Sequence, residues 1–223
     1  MKIAIRGGHN AQAPGARALI DELTEDRKVK DALVKILKGL GHNVIDVTPG
    51  NSDVNTDLRL GVNKANEEEA ELFLSIHFNK AYDSYNGAIG TECWTIGPGY
   101  ATNIAKRIVD NVANLGFKNR GVKHRGLYEL RHTKMSAIII EVCFVEATED
   151  VKLYSKVGAT EIAKRIAEAV IDRKIEGTKP TENNIYRVKV DGTQIGAYRE
   201  PTNAINQLKE NWGKVEKIEI ERK

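Results

Sequence analysis

AIIIEVCFVE, residues 137–146, sets one carboxylate, Glu141, among three isoleucines, Val142, Cys143 and Phe144. A run this rich in β-branched residues reads as a strand covered on both faces, the pattern of a largely parallel sheet in an α/β protein. A charge in its middle is expensive unless it is paired or neutralised. Glu141 therefore needs either a partner or a task.

Outward from this strand, apolar segments of strand length alternate with amphipathic ones. MKIAI (1–5), HNVIDVT (42–48), LFLSIHF (72–78) and AIGTECWTI (88–96) read as strands. Val29, Leu33, Ile36, Leu37 and Leu40 recur at helical spacing and stop at Gly41, a residue suited to a helix C-terminus. Further helices are expected over 58–70, 100–116 and 158–174, with NRGVKHRG (119–126) as a loop and LYELR (127–131) as a short strand. The alternation predicts an α/β fold, a twisted and largely parallel sheet flanked by helices on both faces, over residues 1–175. Residues 176–184, with Gly177 and Pro180, read as a linker. From 185 to 223 a small α+β domain is expected: a hairpin around Asp191 and Gly192, a short helix over 202–211 and a last strand over 214–222.

Composition narrows the function classes. The 223 residues are 41% hydrophobic and 29% charged, with a net charge of +3 spread among interleaved signs. That balance belongs to globular proteins and offers no basic block for nucleic acid. No segment reaches the roughly 18 apolar residues of a membrane span. MKIAI opens directly as a strand without the apolar stretch of a secretory leader, so the expected site of synthesis is the cytosol. Cys93 and Cys143 sit in apolar strands and read as a buried, reduced pair.

In a parallel α/β sheet, ligands gather at the carboxyl ends of the strands. His9 lies just after the strand MKIAI, His77 at the end of LFLSI and Glu141 at the end of AIII, so three groups able to hold a metal or a proton converge on one rim. Two imidazoles and a carboxylate with one open position are the usual donors of a catalytic zinc site. The alternative for Glu141 is a structural carboxylate buried on Arg125 or Arg131. His42 reads as structural, whereas His124 and His132 read as rim or solvated surface.

IAIRGGHN (3–10), IDELTED (20–26), LFLSIHFN (72–79), NRGVKHRGLYELR (119–131) and AIIIEVCFVEATED (137–150) resemble, in order, the segments of the zinc-dependent N-acetylmuramoyl-L-alanine amidases of bacterial and phage cell-wall lysis. The resemblance covers about residues 1–172. It implies that His9, His77 and a glutamate at the start of the first helix hold Zn²⁺. Glu22 and Glu25 compete for that place; the family's spacing to Gly41 and the helix face shared with Val29 and Leu33 favour Glu22, leaving Glu25 as a capping side chain. It further implies that Glu141 is catalytic and that Asn119, Arg120, Leu130 and Arg131 lie near substrate. The implied reaction is hydrolysis of the amide between N-acetylmuramic acid and L-alanine of peptidoglycan, in an endolysin or autolysin. The alternatives are a zinc deacetylase or peptidase acting on the wall, or a non-catalytic wall-binding protein. Residues 185–223 would then bind the wall, with Tyr186, Tyr198 and Trp212 as contacts or as their own small core, or would form a homodimer.

Overall fold

The computed structural model describes residues 1–175, 186–198 and 217–222, together with Leu208 and Gly213. Contacts divide the chain into two units, Met1–Lys174 and Ile175–Lys223.

The first unit runs β1 (Lys2–Gly7), α1 (Glu22–Gly39), β2 (Asn43–Asp46), α2 (Val54–Glu67), β3 (Leu72–Asn79), β4 (Thr91–Thr95), α3 (Tyr100–Ala113), β5 (Asn119–His124), α4 (Tyr128–His132), β6 (Ser136–Phe144), α5 (Thr148–Val157) and α6 (Ala159–Ile171). The sheet order is β2-β1-β3-β6-β4-β5. Strands β2, β1, β3 and β6 are parallel; β4 meets β6 antiparallel and carries β5 parallel beside it. The sheet is thus mostly parallel, as expected.

Alternation along the strands sorts side chains between two layers. Ala4, Phe73, Ala137 and Ile139 pack with Ala65 of α2 and Leu130 of α4. On the other face α1 packs on β1 and β3, and α6 packs against both α1 and α3. In register, Arg6 pairs with Ser75 and His77 with Glu141, so these polar residues share the α2/α4 face near the carboxyl ends of the parallel strands. Apolar burial holds the sheet; Ile3, Ile5, Leu72, Leu74, Ile138 and Ile140 are all fully buried.

Three local expectations are corrected. LYELR is not a strand: Tyr128–His132 form α4, with Arg131 N–H donating to the Leu127 carbonyl at 3.0 Å, because Leu127 and Leu130, three apart, both reach the apolar cluster. NRGVKHRG is not a loop but the edge strand β5, whose charges (Arg120, Lys123) hid it, since edge strands carry such side chains. Residues 148–157, given no element, form α5.

In the second unit Tyr186–Val190 (β7), Thr193–Tyr198 (β8) and Ile218–Arg222 (β9) make an antiparallel sheet of order β8-β7-β9. Asp191 (φ 48°) and Gly192 (φ 82°) form the two-residue turn between β7 and β8, both in the left-handed region that such hairpins require. Among the described residues of this unit, Val188 is fully buried. The proposed linker and Trp212 lie outside the described residues, as does all but Leu208 of the expected short helix.

Candidate metal centre and catalytic carboxylate

The site begins with the cap of α1. Asp21 accepts the Thr24 N–H at 2.9 Å, which starts the helix and makes Glu22 its first residue. The Glu22 side chain points to the strand ends, where Oε2 accepts Ala16 N–H at 2.6 Å and Oε1 accepts Phe78 N–H at 3.1 Å. The same Oε1 lies 3.1 Å from His9 Nε2 and 3.2 Å from His77 Nδ1. Burial pushes this carboxyl up, but the bonds and charges of His77 and His9 outweigh it and hold it down to about 2, so Glu22 is an anion. Glu25 points elsewhere: it takes the Tyr154 hydroxyl at 2.8 Å and pairs with Lys28.

The β1–α1 loop is shaped to bring the imidazoles together. Its backbone is held by Arg27, which donates to the carbonyls of Gly8 (2.7 Å) and His9 (2.6 Å). His9 adopts φ 63°, a conformation of about 1–3 kcal/mol strain that marks functional loops. A Cβ on Gly8 would lie 2.1 Å from Cε1 of the His77 ring, so only glycine lets the loop pass. At Gly15 (φ 75°) a Cβ would lie 2.5 Å from Glu22 Oε2 and 2.6 Å from the His9 ring.

His77 is also fixed from behind. Ser75 Oγ donates to Glu129 Oε1 at 3.2 Å and lies 3.1 Å from His77 Nε2. Glu129 pairs with Arg6 at 3.2 Å, and Arg6 in turn pairs with Asp57, which accepts from Asn10 Nδ2 at 3.1 Å. With the serine proton committed to Glu129, Ser75 Oγ is left to accept from His77 Nε2, which fixes the ring with Nδ1 toward Glu22 Oε1. His77 Nδ1 at 3.2 Å and His9 Nε2 at 3.1 Å meet the same oxygen of Glu22, a cluster of donor atoms that could hold a cation. Nearby buried oxygens are without donors: both of Asp26 and Oε2 of Glu141. Neutral imidazole and carboxylate are zinc donors, so the residues fit the ion that the sequence implies.

Glu141 stands beside His77 in the β3–β6 register and lines the same cavity, of about 410 Å³, as His9, Glu22, His77, Lys80 and Tyr128. It lies in the middle of β6 and not at its end. Burial, then the charges of Glu22, Glu92 and Glu129, push its carboxyl well above the usual carboxylate range, against a weaker pull from Lys123. Neither Arg125 nor Arg131 pairs with it among the described residues.

None of the four expected substrate contacts lines this cavity. Asn119 bonds Asp110, Arg120 bonds Glu92, and Leu130 packs in the apolar cluster; Arg131 is exposed in the last turn of α4, whose first residues Tyr128 and Glu129 line the cavity. His124 bonds Thr95 at 2.9 Å and His132 stacks on Tyr128. The sequence reading passed over Asp26, Glu129 and Glu92. Asp26 had a legible signal, since it is four residues after Glu22 on a helix and so on the same face.

Two imidazoles and carboxylates gather at the strand ends of a mostly parallel α/β sheet, a cluster that could hold a metal ion. Residues 3–172 match the family model described as N-acetylmuramoyl-L-alanine amidase, and the chain belongs to that family. An uncharacterised protein of Clostridium perfringens is 60% identical over 79% of this chain and 53% of its own length. The N-acetylmuramoyl-L-alanine amidase LytC of Bacillus subtilis is 31% identical over 76% of this chain and 34% of its own. Among solved structures, the catalytic domain of an endolysin targeting Clostridia difficile superposes with a TM-score of 0.71 at 26% identity, over 79% of this chain and 99% of that one. The chain spans about half the length of the first curated relatives it matches.

Proposed function

We propose that this chain hydrolyses the amide between N-acetylmuramic acid and L-alanine in peptidoglycan, as an endolysin or autolysin, with Zn²⁺ held by His9, Glu22 and His77. The observation that carries the reading is one carboxylate oxygen of Glu22 within 3.1 Å of His9 Nε2 and 3.2 Å of His77 Nδ1, with unpartnered Glu141 on the same cavity wall. A zinc ion there would supply Lewis acidity, which acidifies water and polarises a carbonyl. Glu141 is the proton carrier. Its raised affinity for protons suits it to take one from the attacking water and return it to the leaving nitrogen of L-alanine. Leu58, Leu127 and Ile139 give the cavity apolar walls that exclude competing water. Ser75 and Glu129 orient the His77 ring, and Arg27 holds the carbonyls on either side of the His9 amide. Arg131 is the one of the four expected contacts we retain for substrate, at the exposed rim.

Removing metal with a chelator should abolish release of new L-alanine amines from purified walls, and Zn²⁺ should restore it. Full activity in metal-free protein would refute the zinc reading; absence of new amines under saturating Zn²⁺ would refute the substrate.

The reading extends to place and partners. No helix among the described residues is long and apolar enough to cross a membrane. The unit after Lys174 is proposed to bind the wall and raise the local concentration of bonds to be cut. Deleting residues 178–223 should then reduce sedimentation with walls while leaving zinc content intact; undiminished sedimentation would remove that role. Self-association of this unit, expected from its size, finds no support among the described residues.

A further inference from the structure

The turn between β6 and α5 holds a carboxylate that takes no part in the metal cluster. Glu146 is only 1% exposed. Its Oε1 accepts the N–H groups of Ala81 at 2.8 Å and Tyr82 at 3.0 Å, while Oε2 meets no donor among the described residues. A buried carboxylate oxygen left this way is relieved by a donor that enters the cavity it lines. That cavity, of about 290 Å³, is separate from the one at the metal cluster and is also lined by Leu19, Asp83, Tyr85 and Thr148. Among the described residues its walls carry two carboxylates and no lysine, arginine or histidine, in a chain whose net charge is +3.

The aromatic wall favours the same sign of ligand. Tyr85 stacks on Tyr82 with ring centroids 5.4 Å apart. Its backbone is strapped to the β6–α5 turn: the N–H donates to the Glu146 carbonyl at 3.2 Å, and the carbonyl accepts Thr148 N–H at 3.0 Å. The face of a ring held in place attracts an ammonium group, whose three donors match acceptors on several sides. The two cavities are neighbours. Lys80 lines the first and Asp83, three residues on, the second; Ala16 lines the first and Ala18 the second. Three residues of chain span at most about 11 Å, so one polymer can lie across both.

We propose that this cavity is a subsite for a primary ammonium group of the wall polymer, filled while the scissile amide lies at the metal cluster. The inference rests on the amidase function proposed above and deepens it by naming a feature of the substrate. Glu146 Oε2 and Asp83 accept from the ammonium, and the Tyr85 ring covers it. Two sources present the same cation: a diamino residue of the stem peptide, or a glucosamine that has lost its acetyl group.

The test follows release of L-alanine amines by the full chain with Zn²⁺ from purified walls, either untreated or with their amino groups first blocked by acetic anhydride. In the parent, blocking should raise the apparent KM about tenfold and move kcat by less than threefold, the pattern of a charged contact made alike in ground and transition states. The double variant Asp83→Asn, Glu146→Gln keeps the shape of both side chains. It should show the raised KM on untreated walls, and blocking should then add less than twofold. Tyr85→Ala, which leaves both carboxylates in place, should lose part of the discrimination. A muramoyl tripeptide with a free or acetylated side-chain amine at its third residue separates the sources. A tenfold difference there assigns the ammonium to the stem peptide; no difference there, with walls still discriminated, assigns it to the glycan. A parent that cuts blocked and untreated walls with KM values within twofold, or folded variants that keep the full tenfold discrimination, would overturn the subsite and leave the amidase reading standing. If the parent releases no amine from either wall under saturating Zn²⁺, the amidase reading falls and the subsite falls with it.

Discussion

Glu92 and Glu141 face each other across the antiparallel β4–β6 ladder, and their environments could hardly differ more. Glu92 is only 1% exposed and fully partnered: Oε2 accepts Arg120 at 2.7 Å and Lys123 at 2.6 Å, and Oε1 accepts Asn79 Nδ2 at 3.1 Å. Glu141, one strand nearer the imidazoles, has an oxygen with no donor and three other carboxylates acting on it. The same side chain, at paired positions of one sheet, is tied to two cations in one case and, on the function proposed above, is the proton carrier in the other. The edge strand β5 makes the difference, since it brings both cations to Glu92 and leaves Glu141 to the cavity.

The largest expected effect falls on Glu141. Glu141→Gln should lower amide hydrolysis by about a hundredfold to ten-thousandfold, the usual contribution of a general acid–base. Its stability should stay within about 0.5 kcal/mol of the parent or rise, because a buried carboxyl that burial and neighbouring carboxylates disfavour as an anion is replaced by a neutral amide of the same shape. Amine release and a thermal melt on the same sample check both halves, and a large loss of stability would show that Glu141 is structural after all.

Glu92→Gln should do the reverse. Arg120 and Lys123 lose their anion, but both side chains are about a third exposed (35% and 34%), so water takes up part of the charge. We expect a loss of about 1–2 kcal/mol, below the 3–5 kcal/mol of a fully buried broken pair, with activity within about tenfold of the parent. Loss of activity equal to that of Glu141→Gln would erase the distinction between the two glutamates.

The smallest effect calibrates the scale at a solvent-touched carboxylate. Asp46, 43% exposed, bonds Lys30 at 2.6 Å. Burial raises its carboxyl, but the bonds to Lys30 and Thr48 win and its pKa is lowered. A depressed folded pKa contributes stability above the unfolded value, near 3.8, and loses it as pH falls through the folded one. Asp46→Asn should therefore cost about 0.5 kcal/mol at pH 7, after solvent screening, and nothing once the parent's carboxyl is protonated. Melts of both proteins from pH 7 down to about 2.5 would show the gap closing; a gap that widens toward acid would contradict the sign.

Much of this was legible beforehand because it is written locally. The β-branched runs of β1, β3 and β6 announce buried parallel strands, and the stripe from Val29 to Leu40 announces α1. His9, His77 and Glu141 sit at or after such strands, so topology alone predicts their convergence. Strand β5 was missed because an edge strand with charged side chains lacks the apolar signal, and α4 because five residues are too few to separate a helical period from an alternating one. Arg131 and Leu130 are neighbours in sequence but point to surface and core, a choice made only when α4 winds.

By itself the sequence determined the order of strands and helices, the apolar faces that bury them and the imidazoles and carboxylates available at their ends, because propensity and periodicity act over a few residues. Only the tertiary structure decided which carboxylate would be neutralised by Arg120 and Lys123 and which would be left bare. Those outcomes depend on the distances between charges brought together by chain segments far apart, and Coulomb and desolvation energies are set by those distances and by the water excluded around them.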